Sequence, residues 1–318
     1  MISRLTTTLF LSVALACGST AFAEPIDTTP RVPAPLEERI AHTDPSVYNE
    51  SASVHGGAGP MKFTSMYDAR GNRGARFDLG TNFLFLHRGE ILPGGGIGSH
   101  FHNKVEEMFV ILDGAAQFTV NSRTSELKGP AAAPATLGSN HAIYNHTDET
   151  IQWLNINVSM LPGLYDNFDL GDPRVGVELD EVPQFITADL SGTRLRDIEN
   201  YDGGTGTVKV RRALGPAVFS TAWSYFDHIV IGEDASIGPI AKPQMSEVFF
   251  VLKGQGEATI NGETAAIGEG DAIPAGLGES RKFVSTGDEP LQLLVIGVAR
   301  DLEAKAAYML SSDAAIRR

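Results

Sequence analysis

The sequence predicts an all-β protein: two β-barrels built from one duplicated unit, with an N-terminal arm before them and a C-terminal helix after them. Three observations predict it. First, the chain repeats itself without a gap at an offset of 140 residues, so that Glu107 stands over Glu247. Glu107-Met-Phe-Val-Ile-Leu-Asp-Gly114 matches Glu247-Val-Phe-Phe-Val-Leu-Lys-Gly254, and Pro134-Ala-Thr-Leu-Gly138 matches Pro274-Ala-Gly-Leu-Gly278. Phe118-Thr-Val-Asn121 faces Ala258-Thr-Ile-Asn261, Asp148-Glu149 faces Asp288-Glu289, and Gln152 faces Gln292. Second, the apolar runs are short, of strand composition, and parted by Gly- and Pro-rich turns, as closed antiparallel barrels require. Third, three histidines and a glutamate fall at strand spacing in the first copy and nowhere else.

Taken in order, the chain opens with Arg4, an apolar stretch Leu9-Phe-Leu-Ser-Val-Ala-Leu-Ala16, and Ala21-Phe-Ala23. A positive start, a short apolar core and small residues at the two positions a signal peptidase reads predict a secretory signal over residues 1–23, too short to span a bilayer. Cys17 after Leu15-Ala16 resembles a lipoprotein signal only in part, with leucine one position out of place. Cleavage after Ala23 removes the one cysteine, so the exported, periplasmic protein would have no disulfide and would be held by packing. Residues 24–60 are rich in Pro, Gly, Ser and charge and read as an arm, with a short helix near Leu36–Ala41. The first barrel covers 61–160. Met61-Lys-Phe-Thr-Ser-Met-Tyr67 and Thr81-Asn-Phe-Leu-Phe-Leu-His87 open it, and Ile151-Gln-Trp-Leu-Asn-Ile-Asn-Val158 closes it. Residues 161–206, rich in Gly, Pro and Asp, read as a linker. The second barrel covers 207–300. Asp301-Leu-Glu-Ala-Lys-Ala-Ala-Tyr-Met-Leu310 lacks Gly and Pro and reads as the start of a helix within 301–318.

The chemistry lies between those strands. In Ser99-His100-Phe-His102 the two histidines alternate, so a strand aims both imidazoles the same way. Glu107 opens the next run, and His141 arrives from a third, after a turn. Three imidazoles and one carboxylate suit one divalent transition metal (Fe, Mn, Ni, Cu or Zn) and leave coordination positions open on an ion that takes five or six ligands. Glu106 is the competing carboxylate, one residue out of phase. In the second copy Ile240 replaces His100, Lys242 replaces His102, Arg281 replaces His141, and only Glu247 remains. Such a set cannot hold a cation. Lys242 and Arg281 are expected to pair with Glu247, since a lone buried carboxylate is costly; a cationic pocket for an anion is the lesser reading.

The spacing Gly94, His100, His102, Glu107, Gly114, followed by Gly129, Pro134, Gly138, His141, Asn145, resembles the two motifs of the cupin superfamily. The second motif departs slightly, with three residues rather than one between Pro134 and Gly138. The resemblance implies a bicupin, two jelly-roll barrels with one intact metal site. It implies that Glu107 can double as ligand and catalytic general base. Fold alone does not fix function, and three classes stay open: a metal-dependent oxidoreductase or lyase, dioxygenase-like, acting on a small organic molecule; a sugar isomerase or epimerase; and a non-catalytic small-ligand-binding protein. Relatives that decarboxylate oxalate usually carry metal in both barrels, which places this one-site chain nearer to quercetinase-like oxygenases.

Other residues refine the site. Trp153, Asn155 and Asn157 share one strand face and align with Leu293, Val295 and Gly297, so the polar pair occurs only in the copy with the metal motif. They are candidate substrate contacts, able to orient a ligand's oxygens. Phe109 is in phase with Glu107 and is a candidate cavity wall. His42, His55, His87, His146 and His228 have no constellation and read as structural; His55 lies in a glycine-rich stretch that is not a phosphate loop. The net charge of −14 argues against nucleic acid and anionic membrane surfaces. No second apolar stretch can span a bilayer, and a homo-oligomer stays open.

Overall fold

A computed structural model describes residues 34–43, 45–70 and 78–316. The signal-peptide expectation lies outside the described residues. The chain forms two all-antiparallel barrels, each closed by a large and a small sheet. In the first barrel the large sheet runs in the order Asn49–Ser51, Met61–Asp68, Phe83–Ile91, Ile151–Ser159, Val105–Ile111, Ala131–Ala135, Ala188–Asp189. It faces a small sheet of Phe168–Asp169, Gly96–Phe101, His141–Tyr144, Ala115–Val120 and Arg123–Lys128. The second barrel repeats this with Arg196–Glu199, Thr207–Leu214, Trp223–Ile231, Leu291–Ala299, Met245–Lys253 and Ala272–Ala275. Its small sheet is Ser236–Ala241, Ser280–Ser285, Gln255–Ile260 and Glu263–Gly268.

The two large sheets pack back to back. Met108, Val110, Leu154, Ile156 and Val158 meet Phe226, Val248, Phe250, Leu294, Ile296 and Val298 in one buried cluster. Each large sheet therefore has an apolar face on either side, one inside its barrel and one against the other barrel. Such strands read as continuous apolar runs rather than alternating ones. Val105–Ile111 is buried at every position, which accounts for Met-Phe-Val-Ile after Glu107.

The arm and the linker have matching roles that composition did not reveal. Leu36–Arg39 is helical, and its backbone and Arg39 reach the second barrel through Glu263 and Glu279. Ala41 then bridges Ala272. Late in the linker, Ala188 pairs with Ala132 of the first barrel. Ala132 and Ala272 are repeat-related positions, so each unit's leading segment clasps the other unit's barrel. The linker is thus partly the second copy of the arm. The C-terminal helix also differs from expectation: it is two helices, Leu302–Met309 and Ser312–Ile316. The Asp301 carboxylate caps the first by accepting from the Ala304 N–H at 2.8 Å. The Ser311 hydroxyl donates to the Tyr308 carbonyl at 2.7 Å and accepts from the Ala314 N–H at 3.3 Å, which ends one helix and starts the next.

Candidate metal centre

His100, His102, Glu107 and His141 meet inside the first barrel. All four are buried, and one ligand atom from each lies within 4.8 Å of the others. His100 is the penultimate residue of the Gly96–Phe101 strand, directly opposite His141 on the neighbouring strand. Glu107 comes from the facing large sheet. Its Oε2 is 2.7 Å from His102 Nε2, 2.8 Å from His141 Nε2 and 3.4 Å from His100 Nε2.

The imidazoles are set as metal ligands are set. Each Nδ1 is tied to a backbone carbonyl: His100 to Gly98 at 2.8 Å, His141 to Ser139 at 3.1 Å, and His102 to Asp166. Carbonyls only accept, so Nδ1 carries the proton and Nε2 presents a lone pair inward. Three such lone pairs and a carboxylate converge, which is unfavourable without a positive charge between them. Buried His100 Nε2 has no hydrogen-bond partner among the described residues. The donor set thus fits a divalent cation. The electrostatics agree. Burial opposes ionisation of Glu107, yet the three imidazoles around it, His141 foremost, hold its carboxyl well below the usual range. Burial and His141 pull His100 down, whereas for His102 the bond to Glu107 overcomes burial and raises it.

The surrounding residues fall as follows. Asn155 Nδ2 donates to the other carboxylate oxygen, Glu107 Oε1. Asn157 Nδ2 donates to Asn155 Oδ1 at 2.7 Å. Both amides are buried on the inward face, in register with Phe109 and Glu107. With Oε2 facing the imidazoles and Oε1 held by Asn155, a base role for Glu107 must compete with both engagements. Phe109 packs 6.0 Å from the His141 ring and 5.9 Å from Trp153, so these two rings form the apolar floor beside the ligands. Glu106 points the other way, into the inter-barrel seam. It accepts from the Ser220 N–H at 2.8 Å, the Thr221 N–H at 2.9 Å and the Thr221 hydroxyl at 2.6 Å.

His55 is the residue the sequence reading missed. Its ring stacks on His100, with centroids 4.0 Å apart and planes at 16°. Asp169 holds its Nδ1 at 2.6 Å, and the Tyr165 hydroxyl lies 3.4 Å from its Nε2. Burial and the neighbouring His100 charge lower its pKa. Gly98 is what lets it approach: a Cβ there would sit 2.2 Å from the His55 carbonyl oxygen. The glycines of Gly94-Gly-Gly-Ile-Gly98 were the available signal. His87 also faces inward, stacked on Phe85 at 4.2 Å. His42, His146 and His228 lie with Asp271, Glu126 and Gln292 instead.

In the second barrel the equivalent positions form an ion cluster. Arg281 Nη2 is 3.0 Å from Glu247 Oε1, and Lys242 Nζ is 3.3 Å from the same oxygen. Asp202 and Asp313, unforeseen from the repeat, add two further carboxylates around the Lys242 and Arg281 charges. Tyr225 donates to Glu247 at 2.5 Å. Its ring occupies the space a side chain at Gly297 would need, the position of Asn157 in the first copy.

A family model described as a cupin domain matches twice, over residues 87–157 and 228–297. The chain belongs to the cupin superfamily. Both halves are cupin barrels, so it is a bicupin. It is 26% identical over 99 residues to the oxalate-binding protein of Thermotoga maritima, covering 31% of this chain and 82% of that protein. Protein Ylba from E. coli superposes with a TM-score of 0.58 at 14% identity, covering 86% of this bicupin and 96% of that chain. Oxalate decarboxylase from Bacillus subtilis superposes with a TM-score of 0.54 at 14% identity, covering 90% and 86%. These two likenesses speak for the fold of the bicupin.

Proposed function

We propose that this bicupin is a metal-dependent enzyme of the oxidoreductase or lyase class, dioxygenase-like, acting on a small oxygen-bearing organic molecule after export to the periplasm. The observation that carries it is the convergence of three Nε2 atoms and one carboxylate oxygen, with every Nδ1 anchored behind. His100, His102, Glu107 and His141 would hold one divalent ion. Bound there, the ion supplies Lewis acidity and, if redox-active, electrons for O₂ chemistry. The chain's own residues do the rest. Asn155 fixes the rotation of Glu107, the carbonyls of Gly98, Ser139 and Asp166 fix the tautomers, and His55 braces His100. Phe109 and Trp153 exclude water from one side.

A second reading is favoured by one finding, the similarity to a protein named for binding oxalate: the site would hold a small carboxylate and leave it unaltered. Metal analysis and oxygen-uptake screening of small phenolics and carboxylic acids separate the two. Metal-dependent oxygen consumption or carbon dioxide release supports the enzyme. Recovery of an unchanged, tightly held ligand supports the binder, and carbonyl or epimer exchange without oxygen an isomerase. Export is tested by N-terminal sequencing of the periplasmic fraction, with Glu24 as the expected first residue.

A further inference from the structure

The polarity of the asparagine pair selects among substrates. Glu107, as a metal-facing carboxylate, can only accept hydrogen bonds. Asn155 must therefore turn its amide nitrogen to Glu107 Oε1, as it does. That leaves Asn155 Oδ1 facing its neighbour, so Asn157 must turn its own nitrogen there, at 2.7 Å. The last free atom of the chain is then an acceptor. Asn157 Oδ1 is buried, has no partner among the described residues, and lies on a residue in direct register with Glu107. Asn157 itself is fully buried. Reversing either amide would set oxygen against oxygen, so the direction is fixed from the carboxylate outward.

We infer that Asn157 Oδ1 receives a hydrogen bond from the substrate, so that the site takes a small molecule bearing a hydroxyl or amide N–H beside its metal-binding oxygens. It disfavours a fully ionised dicarboxylate such as oxalate. An acceptor-only ligand would leave Asn157 Oδ1 buried and unpaired, and would bring a second lone pair against it. A site built to hydrogen-bond a donor rejects analogues without it far more strongly than an apolar pocket rejects an extra group. This rests on the proposed metal site and sharpens which ligands it accepts, in the direction opposite to the name of the Thermotoga maritima relative.

Three probes of nearly one shape test it by calorimetry on zinc-loaded protein: oxamate, pyruvate and oxalate. Oxamate and pyruvate carry the same charge and differ in an amide NH₂ against a methyl; oxalate carries O⁻ at that position, which makes a second ionised carboxylate. Oxamate is expected to bind at least about tenfold tighter than either, the lower range for pairing an otherwise unsatisfied buried acceptor. In Asn157→Leu, of similar size, the oxamate preference over pyruvate should fall to within about threefold, while bound zinc stays at the wild-type level. Equal or tighter binding of pyruvate or oxalate by the wild type overturns the inference, as when a metal-bound water supplies the donor instead. A preference that survives in Asn157→Leu also overturns it. Failure to retain zinc overturns this inference together with the proposed function, and retained zinc with no binding of any probe overturns this inference alone.

Discussion

Asn155, His55 and Arg281 show how single side chains set up the two unequal barrels. Asn155 bonds Glu107 and His55 stacks on His100, so each holds a candidate ligand in place. Replacing His100 and His102 together by Ala removes two of three imidazoles, and the expected result is loss of metal from the purified protein; metal analysis should fall from one ion per chain in the wild type to none. Arg281 stands where the second barrel lost its histidine. Arg281→Ala leaves Glu247 with only Lys242 and the Tyr225 hydroxyl. Breaking a buried pair in this way costs about 3–5 kcal/mol. A lower melting temperature with unchanged metal content is expected, and an unchanged melting temperature would refute the pairing's role. At this scale the four candidate metal residues were legible because alternation aims His100 and His102 the same way and the motif spacing adds Glu107 and His141. His55 was not, because its contact is made by a loop distant in the chain that lies against Gly98, and the local glycines tell of a close approach without telling what approaches.

At the scale of elements, the Val105–Ile111 strand serves both barrels at once. Glu107 looks inward to the three histidines, and Glu106, one residue earlier, looks outward to Ser220 and Thr221. Lys305 of the Leu302–Met309 helix closes the same seam, donating to the carbonyls of Phe219 at 2.6 Å and Thr221 at 2.7 Å. Glu106→Ala would strand the two buried donors of Thr221 and release the Ser220 N–H, so a loss of at least about 2 kcal/mol is expected in urea unfolding. Calorimetry should then show two separated transitions where the wild type shows one. The alternation rule assigned Glu106 an outward direction correctly. That outward meant a second barrel rather than solvent was visible in the unbroken apolar run, a pattern that buried strands and other buried elements share.

For the whole molecule, the second barrel's ion cluster predicts a dependence on acid. Burial opposes charge on Glu247, but Arg281 and Lys242 outweigh it and hold its pKa down to about 2 from an ordinary 4.5. A carboxyl lowered on folding contributes stability that is fully present above pH 4.5 and is lost as pH falls toward 2. Wild-type unfolding free energy should therefore fall across that window with a steeper slope than in Glu247→Gln, measured on metal-free protein so that ligand loss does not contribute. An identical slope would mean that Glu247 does not titrate there. The reciprocal clasps at Ala132 and Ala272 belong to this scale too, since each requires both barrels to be docked.

The sequence by itself determined the two barrels, the duplication and the single candidate metal-binding set, because periodicity, repeat and ligand spacing are properties that survive in one dimension. Tertiary structure decided the rest: that the arm and the end of the linker exchange between barrels, that His55 braces His100, that acids at Asp202 and Asp313 complete the second barrel's cluster, and that Glu107 fixes the direction of the asparagine pair. Each of these is a contact between segments distant in the chain, chosen by which buried charge or polar atom needs a partner, and that need exists only once the barrels have closed.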